Sequence, residues 1–392
     1  MVDRFSNIFK RFFDSEKVAG LILIICTVIS LSIANSSYGD AYIHLIHQNI
    51  NLSFSGIALN YTVEHWINDG LMAIFFLMVG LEVKRELYIG ELAEVRKAIL
   101  PLAGAVGGIS IPAAIHFAFN SGTPTQPGFA IPMATDIAFA LGVLALAGNR
   151  VPTAVKVFLA ALAIIDDIGA IIVIAFFYTK TVLFIYLLIA AGILLALFIL
   201  NRLRVNNLLF YIIPGIAVWY CFLQSGVHAT IAGVLLAFVI PFHGDEDQNM
   251  SHRLEHFLHK PVAFIIVPVF ALANTAILIP SNVIQSLSSS NSVGIIVGLV
   301  VGKLTGIFTF PYLLVKFKLA KLQDGLVWKN LAGIGLLGGI GFTMSMFISN
   351  LAFTDVDVIS NSKLSILTAS TISAILGLVV FLTNQPVHEQ KS

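Results

Sequence analysis

Long apolar runs alternate with short polar connections along the whole chain. Twelve runs read as helical spans: Val18–Ala34, Leu59–Val83, Ala98–Phe119, Gly128–Ala147, Val157–Tyr178, Val182–Leu200, Leu208–Leu223, Gly226–Phe242, Pro261–Leu278, Val293–Leu314, Leu331–Leu351 and Leu364–Leu382. A helix needs about 20 residues, at about 1.5 Å each, to cross the hydrocarbon. The seventh and eighth runs fall short of that and read as tilted or partial spans. The pattern predicts an all-α polytopic membrane protein of about 12 transmembrane helices. Before the second run, Ile50, Leu52 and Phe54 alternate with polar residues, which predicts an extended or hairpin element. Its strand edge suits pairing with a second copy through the outer loop near 48–60; a self-contained loop is the alternative. Ser281–Ser292 reads as a flexible outer connection. Ahead of the first run, Phe5, Phe9, Phe12 and Phe13 fall at helical spacing opposite Lys10 and Arg11, which suggests a helix lying on the membrane interface. The Ser32–Ala34 stretch resembles a signal cleavage site, but the further spans favour a retained first helix.

The basic residues orient these spans. With a cytoplasmic N-terminus, 19 of the 22 lysines and arginines fall on the inner side. Only Lys180 and Lys363 fall in outer loops, and Lys303 lies inside a span. That asymmetry places both termini in the cytoplasm. Composition agrees: 58% of residues are hydrophobic and 11% charged, where a soluble domain carries about 25% charge. A large globular enzyme is thereby excluded. The net charge of +1 gives no case for nucleic acid. Cys26 and Cys221 both sit in apolar runs, so neither a disulfide framework nor a cysteine metal site is expected. No cofactor is implied.

Four features inside the spans break the apolar rule. Asp166 and Asp167 lie together in the middle of the fifth run. Each acid costs about 2.5–3.5 kcal/mol at mid-membrane depth, so the pair points to a proton or small-cation site. Adjacent helical residues point about 100° apart, so the two carboxylates face different neighbours. Asp136 follows Pro132 and Thr135 in the fourth run, which suggests an interrupted helix; a kink beside a buried acid is the alternative. Five of the nine residues from Gly333 to Gly341 are glycine, with Thr343 and Ser345 beside them. Such density weakens a helix and also allows close packing. Lys303 is a lone lysine within the tenth run and needs a carboxylate or carbonyl partner unless it snorkels. The interrupted runs are the middle members of two triplets, spans three to five and ten to twelve, that begin on opposite membrane sides. Inverted triplets of this kind place a transport site where their broken helices cross. Asp136 would balance the helix N-termini there and Lys303 the C-termini.

On the inner side, Glu82, Arg85 and Glu86 share one helical stripe, and Glu255, His256 and His259 begin the ninth span. They form either a solvated ion-pair cluster or a pH sensor. His228, at the outer end of the eighth span, is a weaker candidate for the same role.

The strings WINDGLMAIFFLMVGLEVKREL (66–87), AIPMATDIAFALGVLAL (130–146), KVFLAALAIIDDIGAIIVIAFFYT (156–179), SGVHATIAGVL (225–235), RLEHFLHKPVAF (253–264) and GGIGFTMSMFI (338–348) resemble those of the NhaA-type bacterial Na+/H+ antiporters. They are spread over most of the chain and include Asp136, Asp166, Asp167 and the charged residues of the inner-side cluster, while Lys303 lies outside them. The resemblance implies an electrogenic antiporter of the bacterial inner membrane that exchanges Na+ or Li+ for H+ under pH control. It implies that Asp166, Asp167 and Thr135 hold the ion, that Asp136 and Lys303 balance the crossed helix ends, and that Lys303 pairs with Asp166. Whether Asp166 or Lys303 carries the second proton stays open. The implied organisation is an interfacial segment over 1–17, one membrane domain over 18–384 and a cytoplasmic tail over 385–392. Within the membrane domain a core bundle covers about 98–178 and 293–382, and an interface bundle holds spans one, two and six to nine. The rival readings are a passive cation channel, for which no charged ring or carbonyl filter motif is visible, and an intramembrane aspartyl protease, for which the GxGD string is absent.

Overall fold

The computed structural model describes residues 2–53, 58–179, 182–243 and 249–384, with side chains from residue 18 onward. Fifteen helices carry the argument: α1 Val2–Ala34, α2 Gly39–His47, α3 Val63–Tyr88, α4 Val95–Asn120, α5 Ile137–Leu146, α6 Thr153–Phe177, α7 Phe184–Arg202, α8 Leu209–Ser225, α9 Thr230–Val239, α10 Met250–Asn274, α11 Val283–Leu287, α12 Ser290–Lys316, α13 Trp328–Gly338, α14 Phe342–Ala352 and α15 Val356–Leu382. Among the described residues, seven helices are long and apolar enough to cross a membrane, and ten spans result if each bent pair counts as one. The protein is therefore an all-α, multi-pass membrane protein. Between α2 and α3, strand β1 (Asn49–Asn51) pairs antiparallel with β2 (Asn60–Thr62). The alternating segment thus folds as a hairpin, though its Phe54 lies outside the described residues.

Three sequence expectations change. The aromatic N-terminal segment and the first apolar run form one continuous helix, because nothing between them breaks helix geometry. The Ser281–Ser292 stretch is not an irregular link. The Asn282 side chain accepts from the Gln285 amide and the Ser289 hydroxyl from the Ser292 amide, so each starts a helix. Lys363 lies inside α15 and is buried, because that helix begins two turns earlier than the apolar run does.

The chain forms two compact units. The first comprises Met1–Val28, Glu91–Ala170 and Ile277–Ser392, and the second Ile29–Gly90 and Ile171–Ala276. Lipid gives helices no hydrophobic reason to associate, so close approach of small residues does much of the work. In the first unit α4 crosses α12 at Gly107 and Gly306, each glycine facing the other's carbonyl. Pro112 packs against Gly298 and Gly302, the first and last residues of a π-helical turn of α12 that immediately precedes Lys303. Such a turn shifts the face on which the next side chain emerges. In the second unit Gly233 of α9 sits against the Ala73 carbonyl of α3. Helix α7 buries only Ala190 and Leu197 and leaves Phe184, Ile185, Leu188 and Leu195 exposed, as a lipid-facing helix does.

Two spans of the first unit are interrupted. A short 3-10 helix, Gln126–Met133, meets α5 at 42°, and α13 meets α14 at 44°. Between the first pair the backbone is extended at Ala134 and Asp136, where Pro132 denies the helix an amide. Between the second pair lie Gly339, Ile340 and Gly341. The two gaps meet: the Asp136 amide donates to the Ile340 carbonyl at 2.7 Å. The Ser345 hydroxyl donates to the Ile131 carbonyl at 2.7 Å and adds a second tie.

Candidate functional site

Breaking two helices frees backbone groups that a membrane interior cannot hydrate, so side chains must meet them. Asp136 meets two of them at once, and a hydroxyl besides. Its Oδ1 accepts from the Phe139 amide at 2.9 Å and so caps α5. Its Oδ2 accepts from the Thr343 amide at 3.1 Å and from the Thr343 hydroxyl, in the first turn of α14. A single carboxylate therefore faces two helix N-termini, each with partial positive charge.

The other half of the site belongs to α6. Asp166 and Asp167 are 1% and 2% exposed, close to the middle of a 25-residue helix. The Asp166 Oδ2 atom accepts from Lys303 Nζ, and both side chains are fully buried. The same oxygen accepts from the Thr135 hydroxyl at 2.6 Å. Thr135 also lies 2.8 Å from the Gly338 carbonyl, the last of α13. One hydroxyl proton thus faces two acceptors, a carboxylate and a carbonyl at the negative end of a helix. The Asp166 Oδ1 atom is buried and accepts no hydrogen bond among the described residues. Asp167 stands within electrostatic reach of Lys303. Two carboxylates, a hydroxyl and a helix-end carbonyl are hard oxygen donors, the kind that small alkali cations and protons compete for. The structure brings Thr135, Asp166 and Lys303 into contact. Lys303 is bonded to the carboxylate of Asp166, and no contact with a helix C-terminus is seen for it among the described residues.

A second polar cluster lies in the other unit. The Arg85 guanidinium bridges Glu86 at 2.7 Å and Glu255 at 2.9 Å. Glu82 lies within electrostatic reach of all three. His256 is exposed and His259 half-buried on the same turn of α10 as Glu255. Helix α10 already begins at Met250, so these groups stand one to two turns inside it and not at its first residue. His228 belongs elsewhere. It precedes α9 and bonds the Tyr178 carbonyl at 3.0 Å, whereas the far end of α9 is the one beside Lys84. That lysine follows the second apolar run directly and is buried. Its Nζ donates to the carbonyls of Ala237, Phe238 and Ile240, and so caps the end of α9. Its place at the end of an apolar run looked like a loop, and only the approach of α9 reveals otherwise. Also missed were the carbonyls of Gly338 and Ile340, which no residue type announces.

The sequence profile of the family described as Na+/H+ antiporter 1 matches residues 10–381. The chain belongs to that family. Among similar antiporters, the Na(+)/H(+) antiporter NhaA of Flavobacterium psychrophilum is 53% identical over 374 residues, 95% of each chain. That of Dechloromonas aromatica is 55% identical over 380 residues, 96% of each chain. The chain is thus a sodium/proton antiporter by family, and the buried Asp166 stands beside the crossing of its two broken helices.

Proposed function

We infer that this chain is an electrogenic sodium/proton antiporter of the bacterial inner membrane, working by alternating access. The observation that carries the reading is Asp166, a carboxylate held between the Lys303 ammonium and the Thr135 hydroxyl beside the Gly338 carbonyl. In the proposed cycle, the deprotonated carboxylates of Asp166 and Asp167 take Na+ or Li+ from the cytoplasm, with Thr135 and helix-end carbonyls completing the shell. The cation draws on the same oxygens that hold the Lys303 ammonium, so loading loosens that pair. When the site reopens outward, protons displace the cation from the shared oxygens. Competition for one set of oxygens supplies the coupling, and more protons enter than cations leave. The second proton resides on Asp166 or on Lys303. Asp136 takes no part in that exchange. It steadies the two helix starts, which leaves it unsuited to a shared-proton aspartyl dyad.

Finer features of the reading have their own support. Ten spans together with the short apolar helices α8 and α9 make twelve, and the broken spans are the middle members of two triplets of opposite starting side. The lysine and arginine asymmetry supports cytoplasmic termini. The Glu82–Arg85–Glu86–Glu255 cluster, with His256 and His259, supports pH control of the exchange. The β1–β2 hairpin supports a homodimer joined at a strand edge. Sodium-driven proton flux in proteoliposomes, measured from pH 6 to 9, tests the core claim. Wild type is expected to move protons against an imposed sodium gradient. Asp167→Asn is expected to fold and to move none, and wild-type flux in that variant would overturn the site.

A further inference from the structure

A second buried titratable group lies outside the ion site. His116 is fully buried in the last turns of α4, at the end opposite Arg96 and Lys97. Its hydrogen bonds fix its tautomer. The Ser362 hydroxyl has one proton, and the Val358 carbonyl at 2.7 Å can only accept it. The Asn291 amide, 2.8 Å from the Ser362 oxygen, must therefore be the donor in that contact. Asn291 then presents its oxygen to His116 Nε2 at 3.0 Å, which makes Nε2 the protonated nitrogen. Asn120 approaches Nε2 only at 3.5 Å, and its two amide protons go to the carbonyls of His116 and Ser290. The remaining nitrogen, Nδ1, carries a lone pair. It is buried and has no hydrogen-bond partner among the described residues.

The ring is wedged against the outer limb of the first interrupted span. A side-chain carbon at Gly128, in the 3-10 segment Gln126–Met133, would stand 3.1 Å from its Cε1, and one at Gly294 of α12 would stand 3.0 Å from its Cδ2. That limb leads directly to Thr135 and Asp136. A proton added to Nδ1 would bring a charge into a dry contact with no acceptor. Little else on the packed elements could offset it. The 3-10 segment and α14 carry no charged residue, and on α4 only Arg96 and Lys97 do, at the far end. Helix α12 carries Lys303 and Lys316, of which Lys303 is twelve residues, about 18 Å, from Asn291. Helix α15 brings Asp355 and Asp357 at its start and the buried Lys363 next to Ser362.

We propose that His116 is a positioning residue for the exchange: neutral, it locks the outer limb Gln126–Met133 in the arrangement described here, and proton uptake at Nδ1 releases that limb. Acid on the membrane face nearest Ser121 then shifts the protein out of this arrangement independently of the ion site. The readout by flux rests on the antiport reading, and a second readout does not.

The full-length protein is reconstituted with the pH of each membrane face set separately and the Ser121 face identified by cysteine labelling. Wild-type sodium-driven flux is expected to respond to acidification of that face. His116→Gln keeps a donor toward Asn291 and removes the titration. It is expected to retain the maximal rate and, at saturating sodium, to keep only the response to that face that proton competition at Asp166 and Asp167 produces. Asn291→Asp offers the imidazolium a carboxylate and is expected to move the response up by about one pH unit, a tenfold change in proton concentration. Should His116→Gln fail to fold, Asn291→Asp decides. A His116→Gln profile, or an Asn291→Asp profile, that overlays wild type on the Ser121 face overturns the proposal. If wild type shows no sodium-driven flux, the antiport reading fails and the melting temperature of purified protein between pH 5 and 8 decides instead. Wild type is expected to lose more on acidification than His116→Gln, and equal losses overturn the proposal.

Discussion

Lys303 and Asp166 share a contact from which water is excluded, so each depends on the other for its charge. Removing one partner of a buried pair costs about 3–5 kcal/mol, because the survivor is left uncompensated. Lys303→Ala is therefore expected to lower the melting temperature of purified protein while inserting normally, and a melting curve equal to wild type would show that the pair contributes nothing. The double variant with Asp166→Asn is expected to lose less than the sum of the single losses, since the second change removes the orphan left by the first. At this scale the sequence was eloquent about acids and lysines in apolar runs, because their cost demands a reason. It was silent about partners. Nothing local to Asp136 says that Thr343 will meet it 207 residues later, and nothing local to His116 names Asn291 or Ser362.

Helices in this protein approach one another where side chains are missing. A methyl group at Gly306 would overlap the Gly107 carbonyl, so α4 and α12 would have to separate. Gly306→Ala is expected to destabilise the protein by about 1–3 kcal/mol, as overpacking does. Gly192→Ala on α7, where nothing lies within 4 Å of the added carbon, makes the control. It is expected to leave the melting temperature unchanged or raise it by the equivalent of up to ~1 kcal/mol of helix propensity. Equal effects of the two substitutions would refute the idea that the crossing is set by close backbone approach. Lys84→Met tests a helix end in the same way. Three carbonyls at the end of α9 lose their donor, and a loss of about 1–3 kcal/mol is expected from burying them unsatisfied. The breaks in the two interrupted spans were legible beforehand, since proline and dense glycine weaken helix wherever they occur. The hairpin was legible from alternation. The extra turns of α10 and α15 were not, because helix continues past the apolar run when caps and neighbouring helices support it.

For the molecule as a whole, the acidic and basic groups around Arg85 form one charge network, and a network titrates as a unit. Glu82→Gln or Glu255→Gln removes one negative charge, which makes the remaining carboxylates easier to ionise. The pH profile of the proposed exchange is then expected to move to lower pH, measured as proton flux at saturating sodium so that competition at Asp166 and Asp167 is suppressed. A shift of one pH unit would correspond to about 1.4 kcal/mol of lost repulsion. Profiles that overlay wild type would return the network to a purely structural part. The bond between the Asp136 amide and the Ile340 carbonyl has a different kind of consequence. It joins the two interrupted spans through main-chain atoms, so most substitutions can accumulate on either side without cutting it. Proline at position 136 is the single coded replacement that deletes the donor. Gaining or losing one residue in either gap would instead slide the main chains out of step, so descendants of this sequence are free to vary in spelling there but not in length.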